Sequence, residues 1–226
     1  MSYDVAVLVC CYKRPEYTKK CLEGLEKNTK RKNAMFFLID DGSNDKTARY
    51  LLDFKLPHRT FLHKDNLGLR ERIIDFFELV NETDVKYIAK VDNDTVVPKN
   101  WLTDLIKIYE RCGVDVLSPN VTPSDAASNY CKADDKGYVE SGTIGGLWFM
   151  EKALIEDMFF ERIGCGGIKS AHQILDQIST EKDAKFGFTR EVVFDDIGHW
   201  SGMHPDHIKS DEHREYSAEI NRRIAW

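Results

Sequence analysis

The sequence predicts an α/β fold in which a mostly parallel central sheet is covered by helices on both faces. Apolar runs of strand length alternate along the chain with segments whose apolar residues recur at helical spacing. The run Val5–Cys11 is apolar at every position, which is typical of a strand buried on both faces of a parallel sheet. Together these observations indicate a doubly wound, Rossmann-like architecture.

The predicted strands are short apolar runs bounded by turn-forming residues. Met35–Ile39 ends at Asp40-Asp41-Gly42-Ser43, and Tyr87–Val91 ends at Asp92-Asn93-Asp94, so both strands have polar exits. In chain order, strands are expected at Val5–Cys11, Met35–Ile39, Thr60–His63, Tyr87–Val91, Asp115–Ser118, Gly145–Met150 and Val192–Phe194.

The predicted helices place their apolar residues on one stripe. In the third of them, Ile73, Ile74 and Phe77 share a face, and Asn44 or Asp45 is expected to cap the start of the second. In chain order, helices are expected at Arg14–Asn28, Asp45–Asp53, Leu67–Val80, Asn100–Arg111, Lys152–Phe160 and Ala171–Glu181.

The chain shows no internal repeat and no linker, so its 226 residues are expected to form one domain. Residues 1–118 contain most of the predicted strands, and residues 119–226 complete the domain. Pro119–Tyr138 is polar and rich in turn formers, which predicts a loop. Ser201–Trp226 is charged and rich in histidine, which predicts a loop and a helix at the surface.

Composition narrows the class of protein. The net charge is −6 without a long basic run, so the footprint of a general nucleic-acid-binding protein is not visible. The apolar stretches are of strand length and shorter than a membrane span, and the N-terminus leads into a strand rather than a signal peptide. The six cysteines include no Cys-x-x-Cys pair, which favours free thiols and a cytoplasmic protein.

Four carboxylates stand at the exits of predicted strands. Asp40 and Asp41 follow one strand, and Asp92 and Asp94 follow another. In a doubly wound sheet, ligands bind at the carboxyl ends of the strands. Two carboxylates one residue apart can reach one divalent ion, and hard oxygen ligands suit Mg²⁺ or Mn²⁺. The sequence therefore predicts a ligand and metal site at this edge.

Four motifs in register resemble the nucleotide-sugar half of GT-A fold glycosyltransferases, especially glycosyltransferase family 2. The resemblance covers the first half of the chain well and extends more thinly to His199. The motifs that carry it are Cys11-Tyr12-Lys13-Arg14-Pro15, Ile39-Asp40-Asp41-Gly42-Ser43-Asn44-Asp45, Asn66-Leu67-Gly68 and Val91-Asp92-Asn93-Asp94. It implies that residues 1–118 bind the nucleotide sugar and residues 119–226 bind the acceptor.

The resemblance implies a role for each matching residue. A carboxylate of the Asp40-Asp41 turn is expected to bind the nucleotide base, because an acceptor-only group suits the imide N–H of uracil or thymine. Gly68 is expected to allow a close approach of the chain to the nucleotide. The implied donor-binding residues are Cys11, Tyr12, Arg14, Asp40, Asp41, Asn66, Gly68, Asp92, Asn93, Gly145, Gly146 and Trp148.

The resemblance also implies a divalent cation, Mn²⁺ or Mg²⁺. Asp94 is expected to be a direct ligand, whereas Asp92 contacts either the ribose or a metal-bound water, and Asn93 is a neutral spacer. His199, which follows the last predicted strand, resembles a metal-binding histidine of some GT-A enzymes, and a neutral imidazole binds Mn²⁺ well. The alternative for His199 is an ordinary surface or core histidine.

The second half is expected to supply the acceptor pocket and the base. Gly145-Gly146 resembles a paired-glycine segment that lines this pocket, and Trp148 either stacks on a sugar face or belongs to the core. Relatives place a general base at the start of a helix that precedes a glycine. Asp176 fits that spacing, with Asp183 and Glu181 as other candidates.

The expected function is metal-dependent transfer of a sugar from a nucleoside-diphosphate sugar, most simply a UDP-sugar, to an acceptor hydroxyl. The family 2 resemblance favours inversion, and the His199 resemblance keeps retention open. The acceptor is a glycan, a small molecule, a protein or a modified nucleic-acid base. Two alternatives are a GT-A module that binds a nucleotide sugar or glycan without turnover, and a nucleotidyltransferase, which ordinarily has a glycine-rich loop after its first strand.

Overall fold

The computed structural model describes residues 3–30, 33–122, 138–141, 147–162 and 171–197. Its strands are β1 (Val5–Cys11), β2 (Ala34–Asp40), β3 (His58–Leu62), β4 (Tyr87–Asp92), β5 (Thr95–Val96), β6 (Val116–Thr122), β7 (Tyr138–Ser141), β8 (Trp148–Glu151) and β9 (Phe186–Asp196). Its helices are α1 (Pro15–Asn28), α2 (Thr47–Leu52), α3 (Leu69–Asn81), α4 (Trp101–Cys112) and α5 (His172–Lys182), with a 3₁₀ helix at Lys152–Leu154.

Within these ranges the strands form one sheet in the order β3-β2-β1-β4-β8-β6-β9-β5, and β7 pairs with β9. β1 pairs in parallel with both β2 and β4, β2 with β3, and β6 with β9. β8 is antiparallel to β4 and β6, and β5 and β7 are antiparallel to β9. The architecture is thus the mostly parallel α/β sheet that the sequence predicts.

The sheet separates two apolar layers, and β1 contributes alternate residues to each. Val5, Val7 and Val9 lie in the layer that also contains apolar residues of α1, α2 and α4. Ala6 and Leu8 lie in the opposite layer, with residues of α3 and α5. Because both faces of the strand are buried, every position of β1 must be apolar, which explains the continuous run in the sequence.

Several expectations about elements need correction, and one of them is the loop Pro119–Tyr138, since β6 continues to Thr122 and β7 begins at Tyr138. Lys152–Phe160 is not an α-helix: a 3₁₀ turn ends at Leu154, and Asp157 adopts a left-handed backbone with φ 62°. The last strand is much longer than Val192–Phe194, since it begins at Phe186. Lys46, rather than Asn44 or Asp45, occupies the cap position of α2, although Asp45 Oδ1 accepts the Thr47 N–H at 2.8 Å.

In the part of the chain that the structure describes, no helix combines the length and the apolar character that crossing a membrane would require.

Candidate active site

The carboxyl ends of β1, β2 and β4 meet at one edge of the sheet. In the strand registers, Cys11 lies opposite Asp40 and Cys10 lies opposite Asp92. The Asp41 N–H donates to the Cys11 carbonyl at 2.8 Å, which joins the turn after β2 to the end of β1. The structure therefore brings the two acidic turns to one edge of the sheet, as the strand exits predict, and the space outside these strand ends is called the crevice below.

The buried carboxylate of Asp41 binds the segment that leads into α3. Its carboxylate accepts the backbone N–H groups of Leu67 at 3.0 Å and Gly68 at 2.9 Å. Arg72 Nε donates to the same carboxylate at 2.6 Å, and both side chains are only 3% exposed. A carboxylate has about four lone-pair sites, so these three donors leave room for about one further hydrogen bond.

Arg72 extends this contact into a network. Its Nη1 donates to Asp75 at 2.7 Å and contacts His63 Nδ1 at 3.0 Å, and its Nη2 donates to the Asp65 carbonyl at 3.1 Å. Burial lowers the pKa of Arg72, but the hydrogen bonds to Asp41 and Asp75 outweigh burial and raise the pKa above its ordinary value. Arg72 is thus a permanent positive charge beside the Asp41 carboxylate.

Asp40 lies beside Asp41 in a different environment. Its Oδ2 accepts the Ser43 N–H at 3.2 Å, while its Oδ1 is buried without a hydrogen-bond partner. Burial raises the pKa of Asp40, and hydrogen bonds from Ser43 offset part of that rise. An unpaired buried acceptor is costly, so Oδ1 is a group that a donor from a ligand would relieve.

Gly42 lets the turn after β2 touch the segment before α3. Its φ is +78°, and a Cβ atom there would lie 2.7 Å from the Asp65 carbonyl carbon and 2.8 Å from the Asn66 nitrogen. The two backbones therefore approach more closely than any side chain at this position allows.

Replacing Gly42 by alanine is expected to destabilise the fold by more than ~2 kcal/mol, because backbone strain and a clash with backbone atoms add together. Gly113→Ala is the matched control. Gly113 also has a positive φ, +71°, but nothing lies within 4 Å of its Cβ position. Gly113→Ala is expected to lower the free energy of unfolding by only about 1–2 kcal/mol. Urea denaturation measures the free energy of unfolding of both variants, and equal losses of stability would contradict the close approach at Gly42.

The loop between β1 and α1 has a left-handed backbone at two successive residues, with φ 55° at Lys13 and 58° at Arg14. Pro15 then begins α1, where its missing N–H costs nothing. The Lys13 N–H donates to Ser43 Oγ at 2.7 Å, so the loop is tied to the turn that carries Asp40 and Asp41. Left-handed backbone at residues other than glycine is strained, and strain of this kind clusters at functional sites.

Both carboxylates of the Asp92-Asn93-Asp94 turn pair with a cation. Arg14 Nη1 lies 2.6 Å from Asp94 Oδ2, and Lys90 Nζ contacts Asp92 Oδ1. Asn93 faces α1, where its Nδ2 donates to Thr18 Oγ1 at 2.9 Å. Asn93 is therefore a link to α1 rather than a simple spacer.

Lys90 and Arg72 are site residues that the sequence analysis missed. The Lys90 side chain is only 1% exposed, although it lies in a strand whose other residues before Asp92 are apolar. A lysine in a buried strand was a signal that could have been noticed, because such a residue needs an anionic partner. Arg72 gave no comparable signal, since its contact with Asp41 spans 31 residues and depends on the fold.

The side chains of two predicted donor-binding residues are buried. Trp148 is 3% exposed and packs against Phe77, with ring centroids 5.9 Å apart, so it belongs to the core, the alternative that the sequence left open. Cys11 is fully buried, so its thiol does not face the crevice. Burial, followed by the charge of Asp41, raises the pKa of the neighbouring Cys10 thiol to about 12. Cys10 is therefore protonated near neutral pH and is a poor nucleophile.

Other predicted residues lie at the surface. Tyr12 is 40% exposed, and Asn66 is exposed in the segment before α3. Asp176 is also exposed, but it lies one turn inside α5 rather than at its start, and the first turn of α5 has no acidic residue. Asp183 and Glu181, the other candidates, lie at the far end of the same helix.

Gly145, Gly146 and His199 lie outside the described residues. The described chain reaches Ile197, whose N–H donates to the Asp94 carbonyl at 2.8 Å. Among the described residues, no group of three or more His, Cys, Asp or Glu side chains is arranged to hold a metal ion. A metal ion held by Asp92 and Asp94 would therefore need further oxygen ligands from a substrate, or a ligand from elsewhere in the chain.

Comparisons with known proteins agree with this architecture. Among solved structures, Staphylococcus aureus TarS 1–349 aligns with a TM-score of 0.66 at 18% identity, over 86% of this chain and 60% of that one. GalNAc-T7 with UDP, GalNAc and Mn²⁺ aligns with a TM-score of 0.69 at 13% identity, over 86% of this chain and 44% of that one. The chain thus spans about half of the length of these two structures. At such identities they show a shared GT-A fold.

A complex of S. aureus TarS 1–349 with UDP-GlcNAc aligns over all of this chain and 66% of that one, with a TM-score of 0.61 at 17% identity. Comparison with curated protein sequences gives no match. The sequence profile described as glycosyl transferase family 2 matches residues 6–164, which is well over half of the chain. The chain therefore belongs to glycosyl transferase family 2.

Proposed function

We propose that this protein transfers a sugar from a nucleoside-diphosphate sugar, a UDP-sugar, to an acceptor hydroxyl with the help of a divalent cation. The observation that carries the proposal is the convergence of Asp40, Asp41, Asp92 and Asp94 at one crevice in a family 2 fold. TarS 1–349 is known in complexes with UDP and UDP-GlcNAc, which supports a uridine nucleotide as the donor here.

The base of the donor would bind at the turn that follows β2. Asp41 is paired with Arg72 and has room for about one more hydrogen bond. Asp40 Oδ1 is a second acceptor that lacks a partner. The imide N–H of uracil is a donor that either oxygen would accept, whereas a cytosine ring nitrogen at that position is an acceptor and would be repelled. This chemistry favours a uridine or thymidine nucleotide.

The residues of the Asp92-Asn93-Asp94 turn fit a hard divalent ion such as Mn²⁺ or Mg²⁺. Such ions are commonly held by one or two carboxylates together with substrate phosphates, and the described residues offer this limited set. GalNAc-T7 is known with UDP and Mn²⁺. Asp94 would hold the ion directly, with Asp92 on the ribose or a metal-bound water and His199 as an additional ligand. When bound, the ion would neutralise charge on the leaving diphosphate.

The chain's own Arg14 would bind the same leaving group. Arg14 is accessible enough to reach a phosphate because its side chain is 19% exposed, whereas the nearby Lys90 is 1% exposed and pairs with Asp92. A guanidinium presents two parallel N–H groups that match phosphate oxygens. In the reaction, the acceptor oxygen bonds to the anomeric carbon while the bond from that carbon to the diphosphate oxygen breaks.

The acceptor hydroxyl must lose its proton during this step, and Asp176 is the proposed base, with inversion at the anomeric carbon. Its exposed carboxylate on α5 can take part only if the acceptor lies between this helix and the crevice. The acceptor classes remain a glycan, a small molecule, a protein or a modified nucleic-acid base. Residues 1–118 would bind the donor and residues 119–226 the acceptor.

A panel of nucleotides tests the donor half of this proposal. Thermal unfolding is measured with UDP, GDP, CMP and dTDP, each with Mn²⁺, Mg²⁺ or EDTA. We expect UDP with Mn²⁺ to raise the melting temperature most, since a ligand at 100 times its Kd adds about 2.7 kcal/mol of stability. Equal shifts for all four nucleotides would contradict base recognition by Asp40 and Asp41. No shift with any of them would contradict nucleotide binding altogether.

A further inference from the structure

The contact between Arg14 and Asp94 joins two parts of the chain that are 80 residues apart. Arg14 Nη1 lies 2.6 Å from Asp94 Oδ2, and the two side chains are 19% and 16% exposed. The guanidinium also lies over the Tyr17 ring, 4.9 Å from its centroid. The pair is thus ordered and partly shielded from water, yet a small ligand can still reach it.

The backbone aims Arg14 at this carboxylate. Arg14 has φ 58° and ψ 49°, and it occupies the cap position of α1, so its side chain leaves the chain where the strand–helix connection turns. Lys13 shares the left-handed backbone, and its N–H is fixed to Ser43. Left-handed backbone at a residue other than glycine is costly, so the fold maintains this direction against a local preference.

A divalent ion on Asp94 would meet a guanidinium on the same carboxylate. Two cations within a few ångströms repel each other strongly in a partly shielded crevice. The nearby Lys90 pairs with Asp92 and balances its charge. Asp94 is therefore the carboxylate to which both Arg14 and a divalent ion would bind. Binding of the ion therefore favours displacement of Arg14.

We propose that Arg14 competes with the divalent ion for Asp94 and, once displaced, binds the diphosphate of the donor. This inference rests on the proposed function and adds an order to it. Without nucleotide, Arg14 holds Asp94 and the ion binds weakly. With nucleotide, the phosphates provide both an alternative partner for Arg14 and oxygen ligands for the ion, so that ion and donor bind together. Arg14 in this way couples binding of the ion to binding of the donor.

Mn²⁺ binding without nucleotide tests the competition independently of turnover. Free Mn²⁺ is followed by electron paramagnetic resonance during titration of wild type and Arg14→Met. We expect Arg14→Met to bind Mn²⁺ alone roughly tenfold more tightly, because the competing cation is gone. The same variant should bind UDP in the presence of Mn²⁺ roughly tenfold more weakly, because a charged donor to the phosphates is lost.

Two matched variants separate competition from general charge effects. Lys13→Met removes one positive charge from the adjacent residue, which has the same backbone conformation and whose Nζ lies over the Tyr12 ring. It should change Mn²⁺ affinity by less than about threefold, because a charge that does not touch Asp94 is screened. Arg14→Lys retains a cation and should bind Mn²⁺ alone much as wild type does. Circular dichroism verifies that all three variants are folded.

The outcomes distinguish this inference from the proposed function. If Arg14→Met binds Mn²⁺ no more tightly than wild type or Lys13→Met, while wild-type UDP binding still requires Mn²⁺, the competition is overturned and the proposed function stands. If wild-type protein binds UDP equally well with Mn²⁺ and with EDTA, the metal part of the proposed function fails, and this inference fails with it.

Discussion

Replacing Asp94 by asparagine is expected to reduce sugar transfer by on the order of 10²- to 10³-fold, the largest loss that we expect from one substitution in the crevice. The side chain keeps its size, but it loses the negative charge that would hold the divalent ion. Partial rescue by higher Mn²⁺ concentration is expected to be small, because a neutral amide oxygen is a much weaker ligand than a carboxylate.

The fold should survive this change. The Arg14–Asp94 pair is partly exposed, so losing the carboxylate should cost less stability than removing one partner of a fully buried ion pair. Asp104→Asn is a matched control, because Asp104 lies on α4 and contacts only a surface lysine, Lys107, at 3.6 Å among its described ion pairs. The measurement is release of UDP from a UDP-sugar together with thermal unfolding of each variant. A folded Asp94→Asn protein with the activity of Asp104→Asn would refute the assignment of Asp94.

Replacing Asp41 by asparagine is expected to lower the free energy of unfolding by about 3–5 kcal/mol. Asp41 and Arg72 are each 3% exposed, so the variant leaves a buried guanidinium with one carboxylate partner fewer. It also weakens the anchoring of the Leu67 and Gly68 N–H groups, because the amide NH₂ of asparagine cannot accept them. The segment that leads into α3 should therefore loosen, and UDP should bind more weakly.

Guanidinium chloride denaturation measures the loss of stability. Asp53→Asn serves as a control, because Asp53 forms an exposed ion pair with Arg49 at 3.7 Å and should change stability by less than about 1 kcal/mol. The double variant Asp41→Asn with Arg72→Met completes a thermodynamic cycle that isolates the coupling between the two side chains. If Asp41→Asn loses no more stability than Asp53→Asn, the buried pair does not stabilise this part of the fold.

The parallel half of the fold was predictable because its pattern is local. Each of β1, β2 and β4 is a run of mainly apolar residues that ends at a polar turn, and all three lie within two residues of their predicted positions. Since parallel strands end at one edge, the meeting of Asp40 and Asp92 followed from the fold class alone.

The partners of those carboxylates were not predictable in the same way. Arg14 pairs with Asp94 across 80 residues, and Arg72 pairs with Asp41 across 31, so both contacts depend on how loops fold over the sheet. The incorrect prediction of a helix at Lys152–Phe160 also has its cause in tertiary packing. Its apolar residues suit helical spacing, but Ile155 and Phe160 pack into the core from a turn that Asp157 bends with a positive φ.

Turnover of a nucleotide sugar tests the central claim most directly. Purified protein is incubated with UDP-GlcNAc and other UDP-sugars, with Mn²⁺ or EDTA, and release of UDP is followed in the presence and absence of candidate acceptors. We predict UDP release that requires Mn²⁺, increases with a suitable acceptor and is lost in Asp94→Asn. Tight, Mn²⁺-dependent binding of UDP without release from any UDP-sugar, with or without acceptor, would contradict the claim and indicate a module that binds the donor without transferring its sugar.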